Sequence, residues 1–486
     1  MNATTTTGPA PSATARPLTG PRGRTAWRYR LPVYVLLALV THYPSFTRPF
    51  WTPDEGFLAV QAGVLNAGGE LYADVVDRKP PVVPYLYAAA FRIAGDDAMW
   101  AVRLLAVVAH VVTALLLAAF ARRRWGRRAG FAAGALYLAG SAGLGPEDAQ
   151  AATFEVFMLP WIAGAMLMAE QGQARASGVA LAMATLTKQV AGAALLPLLF
   201  LAYRNGRWRG VGGASAGFML PIAAAAVWFG LDRFVFWVVT SNGNYLDPGE
   251  ALGRAVLRAL GNFAIFAAGN LAVLVLACWA WRRFRRLDVD LWLWLASAVV
   301  AVAAGFHFFG HYYLQLLPPI VLLAASALAY APPVAWRWTL GYARVSVVAF
   351  AALALLWPAD RLSHVDLVAA AIRERSWPDQ RILVWGMYPE TYWAADRAPA
   401  TRFLTAGFLT NFSGGRGASR VGEAYAVPGT WNDFERDLAA NPPTLVVDDS
   451  RGAPYRPERI PRLNALLSAD YERVAEVDGT VIYERR

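Results

Sequence analysis

Apolar residues run along this chain in long blocks, interrupted by short polar or basic segments. A bilayer core takes about 20 apolar residues per helix, fewer where helices are broken or sheltered. On that measure candidate spans fall at residues 31–47, 99–120, 129–145, 152–169, 177–187, 190–203, 211–230, 262–281, 290–306, 312–330 and 342–357, about eleven in all. After Trp357 the pattern changes. Residues 381–386 and 444–449 read as short buried strands, and residues 471–485 as a hairpin turning at Asp478-Gly479. Helical periodicity intervenes at 366–375, 432–440 and 461–467. The fold expected is an α-helical polytopic membrane protein with a small extracytoplasmic α/β C-terminal domain. Its parts are a disordered, basic cytoplasmic tail (1–30), a transmembrane domain (31–357) with a long outer loop at 48–98, and the C-terminal domain (358–486).

Arginines decide the orientation. With the N-terminus inside, the basic loops at 121–128, 203–210, 281–286 and 336–344 are all cytoplasmic, as the positive-inside rule requires. The protein is therefore expected in the plasma membrane, its C-terminal domain outside. The formal charge of +11 is absorbed by these loops, so nucleic acid is excluded as a partner. With 57% hydrophobic and 16% charged residues and a mean hydropathy of +0.34, an ordinary soluble protein is excluded too. The single cysteine, Cys278, sits in an apolar run and offers neither a disulfide framework nor a thiolate metal site. Arginine in place of lysine, with abundant alanine, points to a GC-rich bacterial genome.

Short outer loops carry few basic residues, so those present need a reason. The chain has two lysines, Lys79 and Lys188. Lys79 stands before Pro80-Pro81 in the first outer loop, a compact cation suited to phosphate on a backbone fixed by proline. Lys188 sits at a helix break, where it reads equally as a ligand or as a side chain snorkelling to the interface. Thr52-Pro53-Asp54-Glu55 has the pattern of a capping box, with Glu55 assigned to the cap and Asp54 left available for catalysis. The helix that follows, with Phe57, Val60 and Val64 on one face, is expected to lie along the membrane surface. Glu147-Asp148 is a second outer acidic pair, readable as first-turn acids or as part of a shared site, and Glu155 follows near the same helix face. Entering the span, Glu155 costs about 2–3 kcal/mol unless partnered. In residues 306–319, His307 and His311 fall at i and i+4, on one face if the segment is helical. A hydrogen bond to phosphate or substrate is favoured over a metal, for want of a third ligand, and Tyr312 is a substrate candidate beside them. Asn242 and Tyr245 lie in an outer loop whose amides and aromatics suit a sugar, and which is also ordinary loop composition.

The order and sidedness of these pieces resemble a family. An outer acid pair, a G-x-x-Y-x-D-x-x-D-x-K-P-P ending at 69–81, a second outer acid and a late HYYLQLLP segment are similar to membrane glycosyltransferases of the C-type fold. Among these, the bacterial protein O-mannosyltransferases and aminoarabinose transferases (glycosyltransferase families 39 and 83) are nearest. The resemblance implies transfer of a sugar from a polyprenyl-phosphate donor to a lipid, polysaccharide or protein acceptor outside the membrane. It implies Asp54 as base or acceptor-orienting carboxylate with Asp148 as a second acid, Lys79 on the lipid phosphate, and His311 and Lys188 flanking it. Some relatives carry an acid before this lysine; here Arg78 adds positive charge for the phosphate. Glu55, Glu147 and Glu155 are further substrate candidates. No cofactor is assigned, and a divalent metal stays open as a participant. The rival readings are a transporter or flippase of lipid-linked sugars, which would place its charges at mid-span and show related halves, and a non-catalytic subunit of an envelope-assembly complex.

Overall fold

The computed structural model describes residues 27–95, 97–242, 252–284, 288–412 and 420–486. The tail before residue 27 and Tyr245 lie outside the described residues. The chain opens with helix α1 (Arg30–His42), followed by α2 (Pro53–Asn66) and α3 (Val82–Ala94) from the loop at 48–98. Next come α4 (Met99–Ser141), α5 (Phe154–Glu170), α6 (Ala174–Thr187) and α7 (Leu195–Trp228). The helical part closes with α8 (Leu252–Phe284), α9 (Val289–Ala303), α10 (Leu317–Tyr330), α11 (Pro333–Leu355) and α12 (Asp360–Arg375). Among the described residues, five helical stretches are long and apolar enough to cross a membrane by length and composition.

Two of the long helices are broken where the sequence separates spans. In α4 the break is Gly126, at φ +86° within the arginine-rich loop, and in α7 it is Arg207, at φ +52°. The expected separation at Lys188 also appears: α6 ends at Thr187, Lys188 is extended at φ −152°, and a 3₁₀ turn at Gln189–Ala194 leads into α7. The acids near these breaks gather the arginines. Arg124 bonds Glu170 at 2.6 Å and Asp290 at 2.8 Å, and Arg204 bonds Glu170 at 2.7 Å. The ends of α5 and α9 therefore meet the 121–128 and 203–210 connections at one end of the bundle.

The C-terminal residues build a four-stranded sheet in the order β1-β2-β4-β3, from β1 (Ile382–Trp385), β2 (Leu445–Asp448), β3 (Tyr471–Val477) and β4 (Thr480–Arg485). β1 and β2 are parallel and fully buried, which is why they read as continuous apolar runs. The β3–β4 hairpin turns at Asp478 (φ +48°) and Gly479 (φ +77°), the two positive φ values a two-residue turn of this hand requires.

The apolar face of α2 meets protein and not lipid, which corrects the expectation of what covers it. Its Leu58, Ala59 and Ala62 pack in the core of the helix bundle. Val60, Phe57 and Val64, the face expected to meet lipid, pack instead against the core of the C-terminal sheet region. The apolar stripe was real but its partner is protein, and no sequence period distinguishes the two. Contact on that side is close. A Cβ on Gly56 would lie 2.6 Å from the Cβ of Glu390, so only glycine fits. Glu390 is itself fully buried and paired with Arg361, and Phe50 meets Trp393 edge-on at 4.9 Å.

Candidate active site

The end of the bundle opposite the Arg124 cluster collects most of the acidic and cationic residues singled out above. Pro53 at the first helical position of α2 places Asp54 and Glu55 in its first turn, where they part company. Asp54 is exposed and Glu55 is completely buried. The capping box does not form: Thr52 makes no cap bond, and its hydroxyl lies buried without a partner. The Glu55 carboxylate is drawn inward, accepting from Trp51 N at 2.7 Å, Ala152 N at 2.6 Å and Arg103 Nη2 at 2.8 Å. Arg103 also donates to Pro49 O at 2.9 Å. Glu55 thus ties its own loop to the segment at Ala152 and is spent on structure. Asp54 lies within electrostatic reach of Asp77 and Lys188.

Lys188 does not snorkel. It is 4% exposed, forms an ion pair with the fully buried Glu155, and holds its ammonium 4.0 Å from the ring centroid of Tyr312. An extended residue at a helix break points its side chain across the bundle, and Glu155 supplies the partner its depth demands. Lys79 is half-buried, 5.8 Å from the Phe154 ring and within electrostatic reach of Lys188 and Asp77.

Asp148 and His311 form a dyad. One carboxylate oxygen of Asp148 meets both His311 Nδ1 at 2.7 Å and His311 N at 2.8 Å. Gly310 makes room for it, since a Cβ there would lie 2.1 Å from the other oxygen. The i, i+4 helical face expected for His307 and His311 is not formed. Phe306 and Phe308 take φ values of +56° and +49°, and the segment is irregular up to a 3₁₀ turn at Gly310–Leu316. His307, Phe309 and His311 instead stack as alternate residues of this irregular segment, at 5.7 and 5.8 Å with rings within 6° of parallel. The two histidines are held apart by the phenylalanine. Among the described residues no group of three or more His, Cys, Asp or Glu gathers to hold a metal ion.

Other candidates are placed differently. Glu147 is exposed and accepts from Trp357 Nε1 at 3.3 Å. Asn242 caps its own turn, donating to Val238 O at 3.0 Å. The Arg78 guanidinium lies 4.9 Å from the ring of Phe408, in the C-terminal region. Asp77, not among the sequence candidates, is 7% exposed, and burial pushes its carboxyl up to about 6 against the pull of the Lys79 ammonium, with the Asp54 carboxylate adding to the rise. Its signal was the D-R-K-P-P run itself, in which the lysine drew the attention. Beside this loop a cleft of about 650 Å³ is lined by Glu70, Tyr85, Phe229, Asp232 and Arg233, among others. Phe229 meets Tyr72 of the loop edge-on at 5.6 Å.

Residues 78–230 match the family model described as dolichyl-phosphate-mannose-protein mannosyltransferase. No curated protein sequence matches the chain. Among solved structures, the chain is similar to ArnT from Cupriavidus metallidurans bound to undecaprenyl phosphate. The TM-score is 0.62 at 16% identity, over 93% of this chain and 97% of that one. The apo state of the same protein gives 0.62 and 16%, over 95% and 98%. An oligosaccharyltransferase from Archaeoglobus fulgidus, in complex with zinc and sulfate, aligns at 0.49 and 12%, over 86% of this chain and 68% of that one.

Proposed function

We propose, on the premise that this chain has the fold of the C-type membrane glycosyltransferases, that it transfers a sugar from a polyprenyl-phosphate donor to an acceptor hydroxyl on the outer side of the membrane. The observation that carries the reading is the convergence of Asp54, Asp77, Lys79, Glu155 and Lys188 at one end of the bundle, with the His311–Asp148 dyad in electrostatic contact through Glu155. In the reaction the bond from the sugar anomeric carbon to the phosphate oxygen breaks, and a bond to the acceptor oxygen forms. The departing polyprenyl phosphate keeps the electron pair, and its charge is met by Lys79, with Lys188 and His311 beside it. The acceptor proton passes to Asp54, whose exposure leaves it open to an incoming hydroxyl. Glu155 and Asp148 hold the flanking cations in place. Glu55, completely buried, orients the loop without meeting substrate.

The convergence of charge at one end, rather than at mid-span, favours transfer over transport. The N-terminus is cytoplasmic on this reading, and the sheet region lies outside with the charged cluster. The test is sugar transfer by the full-length protein in vesicles. Asp54→Asn keeps the shape of the side chain and is expected to lower transfer by about 100-fold or more with insertion intact. Near-normal turnover would overturn the assignment. The sugar and acceptor are to be identified by mass analysis of the lipid-linked sugars that accumulate when the protein is removed.

A further inference from the structure

Residues 77–81 form neither helix nor strand, and Pro80 and Pro81 have no N–H to donate. The backbone around Lys79 therefore needs other anchors, and two side chains from elsewhere in the chain hold its carbonyls. Tyr72 Oη donates to the carbonyl of Lys79 at 2.7 Å. Gln189 Nε2 donates to the carbonyl of Arg78, and to that of Val238 at 3.1 Å. Both acceptors of the Gln189 group are carbonyl oxygens, so the amide must present its nitrogen to them. The two carbonyls that bracket the Lys79 Cα are each held by a side chain from a different place in the chain.

Both anchors have unusual settings. Gln189 follows Lys188 at the helix break, so one dipeptide sends a cation to Glu155 and an amide to the backbone before Lys79. The offset between the two lysines is thus set by one residue step and one hydrogen bond. Tyr72 sits at φ +69°, a left-handed conformation unfavourable for a bulky residue. It is kept there by its N–H to Val75 O at 2.8 Å and by edge-on packing against Phe229 and Phe234. Strain of this kind persists where the surroundings fix it, and here they fix a hydroxyl onto Lys79.

We propose that Gln189 and Tyr72 are positioning residues that hold the Lys79 ammonium at a fixed offset from Lys188, so that both cations meet one lipid phosphate. The inference rests on the reading of Lys79 as a phosphate ligand, and the experiment separates the two. Binding of undecaprenyl phosphate to the full-length protein in nanodiscs is measured, with the phosphate-free polyprenol as control. Tyr72→Phe and Gln189→Met, each of which removes donors and keeps shape, are expected to weaken phosphate-lipid binding by about tenfold and leave polyprenol binding unchanged. In a Lys79→Ala background neither is expected to weaken it further, because the group they place is gone. Gln189→Asn, which keeps the amide but shortens its reach, reads the same geometry if the methionine variant does not insert. Equal losses with and without Lys79 would mark a general structural role and overturn the proposal. So would unchanged affinity in both single variants while Lys79→Ala weakens binding. If Lys79→Ala itself leaves affinity unchanged, the phosphate reading falls and the positioning role with it.

Discussion

Glu155 and Lys188 show what a single buried charge demands of its surroundings. Removing one partner leaves the other uncompensated at depth, at a cost of about 3–5 kcal/mol. Glu155→Gln is therefore expected to lower the melting temperature in detergent, while the double change Glu155→Gln with Lys188→Met recovers part of the loss. Equal melting of the single variant and the parent would mean the pair contributes nothing. Asp77 gives a second prediction, with its sign fixed by burial. A carboxyl raised from 3.8 to about 6 holds its proton more tightly folded than unfolded. The stability this adds is full below about pH 4 and is lost as pH rises through 6, a change of about 3 kcal/mol. Asp77→Asn is expected to flatten the melting profile over that window and to raise stability at neutral pH, as thermal melts across a pH series would read. At this scale the sequence spoke clearly about residue types and poorly about direction. The two lysines stood out by their rarity, and Asp54 by its neighbour. That Glu55 turns inward toward Arg103 and Ala152, however, depends on a loop about a hundred residues away.

Among elements, α2 is the one whose period was read correctly and whose partner was not. An apolar stripe specifies that something apolar must cover it, and lipid and a folded sheet satisfy that demand alike. The contact at Gly56 makes the difference testable. Gly56→Leu places a side chain where Glu390 stands and is expected to cost about 1–3 kcal/mol. Limited proteolysis of membranes should then release the C-terminal region faster, while the bundle stays inserted. A proteolysis pattern like the parent's would show that α2 and the sheet region are not held together there. The strands and the β3–β4 turn were legible because a buried parallel pair and an Asp-Gly turn each have their own local chemistry. The 306–311 segment was not. Its aromatic composition says nothing of the alternating positive φ values that stack His307 on Phe309 and Phe309 on His311.

At the scale of the whole molecule, charge sorts to two ends. Arg124, Arg204, Glu170 and Asp290 meet at one, and the Asp54 to His311 group at the other. The positive-inside argument assigns the first to the cytoplasm, so a cysteine placed after Trp357 is expected to react with an impermeant reagent from outside the cell. Labelling only from the cytoplasmic side would invert the arrangement and the proposed reaction with it. The lie of the sheet region over α2 has one more consequence, in the order of synthesis. α2 is made early, but its face toward the sheet region is covered only after β1, β2 and β4 have followed, and β4 ends at Arg485. Every residue of the charged cluster is encoded before codon 312. A premature stop anywhere between codons 385 and 480 is nonetheless expected to behave as a null allele, because the ribosome would release a chain whose α2 face had never been covered.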